Sequence, residues 1–115
     1  MKLPNSQNLV IDLNKLRGYC LNPQHPKGKD KAKRFDSILG ITAKDTEELA
    51  EILRLKALTA DVTFGIKDHH GQRYTMDFPL TRQGNTALVR SAWIIKSGED
   101  FPRLTTCYIL KQVKL

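Results

Sequence analysis

Two periodicities divide this chain of 115 residues. In its first half, apolar side chains recur at the three-to-four spacing of a helix with one buried stripe. In its second half they alternate with polar ones, the spacing of a strand with one buried face. Leu13, Leu16, Tyr19 and Cys20 form the first helical stripe, with Asp12 placed to cap it. Asn22-Pro23-Gln24-His25-Pro26 ends that helix, since a residue before proline is pushed out of the α region. A second helix is expected from about Lys29 to Leu39, with Gly40 as its C-terminal stop. Thr42-Ala43-Lys44-Asp45 resembles a capping box, with Asp in the usual Glu or Gln place. The third helix follows, striped by Leu49, Ile52 and Leu53, and ends near Ala57.

Val62, Phe64 and Ile66 then alternate as in a half-buried strand. Asp68-His69-His70-Gly71 reads as a turn, and Tyr74, Met76 and Phe78 alternate again. After a turn at Arg82-Gln83-Gly84-Asn85, a third strand runs from Thr86 to Ile95, apolar enough at its end to be central. Lys96 to Asp100 is the next turn, Phe101-Pro102 extends it, and Thr105 to Val113 is the fourth strand. Short connections imply an antiparallel meander. Helices followed by strands give an α+β fold: about three N-terminal helices packed on one face of a four-stranded antiparallel sheet. The length fits one domain over residues 1–115, without internal repeats, low-complexity tracts or linkers.

Composition adds little to the fold and more to the partner. With 40% hydrophobic and 27% charged residues the chain reads as globular. It has no run of about 18 apolar residues that would span a membrane, and Met1 to Ser6 lacks the apolar core of a signal peptide. A cytoplasmic location without a membrane partner is the expectation. The net charge of +7 favours an acidic partner. More than half of it lies in His25-Pro26-Lys27-Gly28-Lys29-Asp30-Lys31-Ala32-Lys33-Arg34, where five Lys/Arg less one Asp leave +4. Cys20 and Cys107 share no close metal spacing, and each lies in an apolar pattern. They read as reduced core residues, with a disulfide, a zinc site or a nucleophile as alternatives. No Cys-x-x-Cys, Walker loop, Gly-x-Gly-x-x-Gly or His-Glu-x-x-His is present, and no cofactor is implied.

Helical projection sorts the basic stretch. Ala32, Phe35, Ile38 and Leu39 define the buried stripe of the second helix. Lys29 and Lys33 project to the other side; with Lys27 and Arg34 they suit electrostatic attraction of RNA phosphates. Lys31 instead falls on the apolar stripe. Either its stem snorkels to water, or it aims across at the sheet to meet a phosphate. His25, held between two prolines, takes or gives a proton near cellular pH or is ordinary loop surface. Arg90 interrupts an apolar strand and needs a partner, a salt bridge such as Asp77 or a phosphate. Thr106 and Tyr108 share one strand face opposite Cys107 and Ile109. They can donate to phosphate oxygens or form a solvated stripe. His69 and His70 read as solvated turn residues.

The pattern Leu21-Asn22-Pro23, His25-Pro26, Gly28, Lys31-Ala32, Phe35, Leu39-Gly40 resembles a recurring bacterial domain family, seen alone and at the ends of toxin-like and phage-associated proteins. Arg90 to Ile95 and Gly98 to Tyr108 resemble its second half, so the likeness covers roughly Leu3 to Leu110. That family is similar in layout to the barnase–EndoU–colicin–RelE group of ribonuclease toxins. The resemblance implies metal-independent RNA cleavage, with His25 and Lys31 from the helices and Arg90, Thr106 and Tyr108 from the sheet. The ribose 2′-hydroxyl would attack the adjacent phosphorus and leave a 2′,3′-cyclic phosphate. His25 would be general base or acid. Lys31 and Arg90 would stabilise the phosphorane, and Tyr108 is a further candidate acid. A second catalytic histidine and a glutamate base, found in members of the group, have no aligned equivalent. Such a nuclease implies a small acidic antitoxin or immunity partner. The competing reading is a non-catalytic module that binds nucleic acid or protein; a phage structural role is a third.

Overall fold

Asp12 opens the helical layer by accepting the backbone N–H groups of Asn14 (2.9 Å) and Lys15 (3.2 Å). In the computed structural model, which describes residues 1–114, this cap starts α1, Leu13–Lys15, and the chain continues as a π-helical turn, Leu16–Cys20. The Leu21 N–H closes the wide turn on the Leu16 carbonyl at 3.0 Å. Helix α2, Lys29–Leu39, stops at Gly40, whose φ of 64° is left-handed and whose N–H returns to the Asp36 carbonyl at 2.8 Å. A 3-10 turn, Ala43–Asp45, leads into α3, Thr46–Ala57. Here the Thr42 N–H donates to the Asp45 carboxylate at 2.9 Å, the return half of the expected capping box.

The second half is an antiparallel sheet in the order β1-β2-β3-β4, formed by Val62–Asp68, Gly71–Arg82, Asn85–Lys96 and Arg103–Val113. The α+β architecture is therefore the one the periodicities imply. Helix α2 packs on β3 and β4. Phe35 and Leu39 of α2 and Leu49 and Leu53 of α3 share one core with Met76, Val89, Trp93, Cys107 and Ile109. The buried Trp93 indole N–H donates to Ser91 Oγ (2.8 Å), which donates to the Met76 carbonyl (3.2 Å), so this polar pair is satisfied inside the core.

Strand β1 departs from expectation. Val62 is buried, but Phe64 is 62% and Ile66 70% exposed. The pairing with β2 shifts register between Phe64 and Lys67, so a bulge at Gly65-Ile66 breaks the alternation there. Phe64 covers part of its ring by stacking on Tyr74, with centroids 5.5 Å apart. Strand β4 departs in another way. Its register with β3 slips twice, leaving Thr105 and Leu110 as extra residues on either side of Thr106-Cys107-Tyr108-Ile109. The Thr105 hydroxyl donates to the Ala92 carbonyl at 3.0 Å, which anchors the first bulge. Between the bulges, Cys107 and Ile109 face the core, while Thr106 and Tyr108 stand opposite Ala92 and Arg90 on the other face.

The sheet edges are managed from outside. The Met1 carbonyl accepts the Val62 N–H (2.7 Å) on β1, and Val10 joins the start of β4 through Pro102 and Leu104. Arg34 of α2 donates to the carbonyls of Ile109 (3.1 Å) and Leu110 (3.5 Å) on β4. Helix α2 thus runs along the strand that carries Thr106 and Tyr108.

Candidate functional site

The loop between the π-turn and α2 is wired to itself. Asn22 Nδ2 donates to the Gly18 carbonyl (3.2 Å), and its Oδ1 accepts the Gln24 N–H (3.0 Å). His25 Nδ1 accepts the N–H groups of Lys27 and Gly28, each at 3.0 Å. Both are free donors where the chain enters α2, so His25 caps the helix much as Asn or Asp would. In neutral His25 the proton therefore stands on Nε2. Gly28 has no room for a side chain, because a methyl there would collide with the Tyr19 carbonyl and ring. The His25 ring packs on that same tyrosine, with centroids 4.8 Å apart. Each residue of this stretch helps fix Tyr19 beside the start of α2.

Lys31, half-buried one turn into α2, resolves its misplaced position by crossing to the sheet. Its Nζ donates to Tyr19 Oη at 2.9 Å and to Thr106 Oγ1 at 3.4 Å. It lies 4.8 Å from the Tyr19 ring centre and 5.3 Å from that of Tyr108. The ammonium is thus held by two hydroxyls and two aromatic rings from two elements, the π-turn and β4. It has three N–H donors, so one remains for a further acceptor.

Arg90 adjoins this group from β3. Register places it between Asp77 on β2 and Tyr108 on β4. Its guanidinium grips the Asp77 carboxylate with two bonds, 2.7 and 2.8 Å. That ion pair first, and Tyr108 after it, keeps Arg90 firmly protonated. Asp77 is thus the salt-bridge partner that the lone strand arginine required. His25, Tyr19, Lys31, Thr106, Tyr108 and Arg90 form one continuous chain of contacts over the end of α2 and across the outer half of the sheet. All five residues singled out in the sequence belong to it, His25 through Tyr19.

The expected phosphate contacts divide. Lys27, Lys29 and Lys33 are exposed and make no ion pair among the described residues. Arg34, also exposed, differs in donating one nitrogen, Nη1, to the Ile109 and Leu110 carbonyls at the edge of β4. Sequence reasoning also missed Tyr19, which it placed in an apolar stripe. The one available signal was the residue type, since a tyrosine at the border of a stripe has a polar tip to satisfy.

Beneath the cluster lie both cysteines, free and buried as expected. Cys20 Sγ is 3.8 Å from Thr106 Oγ1. The hydrogen bond with the Cys107 thiol, helped by the Cys107 backbone, Thr106 and the charge of Lys31, outweighs burial and draws the Cys20 thiol down to about 6. The same contact and complete burial push Cys107 up. His69 and His70 are exposed in the β1–β2 turn, far along the chain from these groups, with ring centroids 3.9 Å apart.

No helix among the described residues is long and apolar enough to cross a membrane. No curated protein and no solved structure matches the chain. Residues 2–111 match a family described as a domain of unknown function, DUF6883.

Proposed function

The chain belongs to the DUF6883 family, and we propose that this domain is a metal-independent endoribonuclease acting at the Lys31 cluster. The observation that carries the reading is Lys31 itself. A lysine placed on the buried stripe of α2 is led to the sheet by Tyr19 and Thr106, with Tyr108 and Arg90 beside it. A cation held in place before the substrate arrives stabilises developing negative charge without having to reorganise, the term that is often largest in catalysis.

In this reading the ribose 2′-oxygen bonds to phosphorus and the bond from phosphorus to the 5′-oxygen breaks. Lys31 and Arg90 face the phosphorane charge. The hydroxyls of Tyr19, Thr106 and Tyr108 hold its oxygens. His25 presents only Nε2–H, because Nδ1 is committed to the backbone, and donates a hydrogen bond to a phosphate oxygen, while the Tyr108 hydroxyl gives its proton to the leaving oxygen. The 2′ proton passes to water. Lys27, Lys29 and Lys33 attract the flanking phosphates. A cytoplasmic enzyme of this kind would need a neutralising partner, and a small acidic antitoxin or immunity protein fits the +7 chain.

Product chemistry tests the proposal. RNA incubated with the protein in EDTA should yield 2′,3′-cyclic phosphate ends, and a substrate with 2′-deoxyribose at the cut position should resist. Intact RNA recovered from a salt-sensitive complex would replace the enzyme with a binding module.

A further inference from the structure

We infer that the outer edge of β1 pairs with β1 of a second copy of this chain, antiparallel and about a two-fold axis, joining two four-stranded sheets into one. Phe64 and Ile66 are the two most exposed large apolar side chains among the described residues. Every residue from Thr63 to Asp68 is exposed, on a strand at the edge of the sheet. The Lys31 cluster lies at the opposite edge, on β4. This surface is therefore separate from the proposed chemistry.

Backbone direction shows which groups are open. The Val62 N–H leaves the sheet to reach the Met1 carbonyl, so Val62 turns its backbone groups away from β2. Alternation gives Phe64 the same direction. Beyond it, Gly65 and Ile66 together stand opposite Arg73, and pairing resumes with Lys67 opposite Gln72. Gln72 is two residues from Tyr74, the partner of Phe64, so Lys67 also turns outward. Met1 and Lys2 cover the edge only at Val62 and Asp61. The N–H and C=O groups of Phe64 and Lys67 are offered to an incoming strand, the usual template for pairing with another chain.

The strand complements itself. When Phe64 stands opposite Lys67 of a second copy, the two-fold axis sets Lys67 opposite the other Phe64. Each such pair exchanges its N–H···O=C bonds in both directions. Opposed residues share a face, so each Lys67 ammonium reaches across a Phe64 ring. Each Ile66 stands opposite a Gly65, which has no side chain to compete for the space. Charge gives no hold here to the acidic partner that suits the basic cluster, since Thr63 to Asp68 has one Lys and one Asp. An isologous two-fold contact is also the commonest closed arrangement of soluble chains.

Sedimentation equilibrium of the full chain over a dilution series tests the pairing. The data should fit an equilibrium between 13.1 kDa and twice that mass. Amide exchange followed by NMR should slow at Phe64 and Lys67 as concentration rises, and stay constant along the edge of β4. Phe64→Lys sets lysines opposite each other and should leave a monomer, and adding Lys67→Glu should restore the dimer through opposed ion pairs. Both positions are exposed, and circular dichroism of each variant checks that it is folded. A monomer at every concentration would overturn the inference. So would a dimer that survives Phe64→Lys, or one that protects amides of β4 instead. A loss that Lys67→Glu fails to repair would overturn the pairing of Phe64 with Lys67. None of these readouts depends on RNA cleavage.

Discussion

His25 carries two roles that substitution can separate. As a cap, it satisfies two backbone donors; as a phosphate contact, it would donate a hydrogen bond from Nε2–H. His25→Asn keeps an oxygen able to accept those N–H groups, so its unfolding midpoint should stay near that of the parent. His25→Ala should cost about 1 kcal/mol, the usual loss on removing a cap. If the Nε2–H contact serves cleavage, both variants cleave RNA poorly. Normal cleavage by His25→Asn would reduce the residue to its capping role. Gly28→Ala tests the neighbouring contact. Its methyl collides with Tyr19, so denaturant unfolding should show a loss of about 1–3 kcal/mol, with reduced cleavage as Tyr19 moves away from Lys31. At this scale the sequence was informative where a residue broke its own pattern. Lys31 and Arg90 are charged residues in apolar series, and both proved to have partners. Tyr19 kept the helical pattern, so only its residue type marked it. Arg34 also kept its pattern as a surface cation, and only the neighbouring strand shows what it binds.

Helix boundaries rest on local chemistry and were legible for that reason. Asp12, Gly40 and the Thr42–Asp45 pair act on backbone within a few residues of themselves. The junction between α2 and α3 has a less visible tie. Arg82, the last residue of β2, donates to the carbonyls of Leu39 (2.8 Å) and Gly40 (2.7 Å) and pairs with Glu48 and Asp45. Arg82→Ala should lower stability by about 2 kcal/mol, since it strips several charge-assisted bonds from one partly buried group. The same junction sets an acid response. The Thr42 N–H, with Arg82 behind it, holds the Asp45 carboxyl below its ordinary value of 3.8. A depressed folded pKa contributes stability above the unfolded value and loses it as pH falls through the folded one. Thermal unfolding from pH 5 downward should therefore fall less steeply in Asp45→Asn than in the parent. Parallel slopes would contradict the assignment. The bulges at Thr105 and Leu110 were not legible, because pairing between strands creates them and no local propensity records it.

For the whole molecule, periodicity predicted the layers correctly but not their extent. Alternation in β1 could say that Val62 and Phe64 share a face; it could not say that a bulge follows at Gly65-Ile66. Similarly, the basic stretch looked uniform in one dimension. Folding divides it into exposed lysines, an edge-capping Arg34 and the inward Lys31. RNA affinity should therefore fall with rising salt in proportion to the phosphates engaged. Replacing Lys27, Lys29 and Lys33 together should flatten that slope while leaving the chemistry at Lys31 intact, which cleavage at saturating protein would report. The central claim concerns Lys31. Its most direct test is the single-turnover cleavage rate of RNA in EDTA for the parent and for Lys31→Met, with unfolding midpoints measured on the same preparations. Met keeps the apolar stem and removes the ammonium. The parent should cut and the folded variant should be slower by about 10²-fold or more; equal rates in the two proteins, or no cleavage by the parent, would contradict the account.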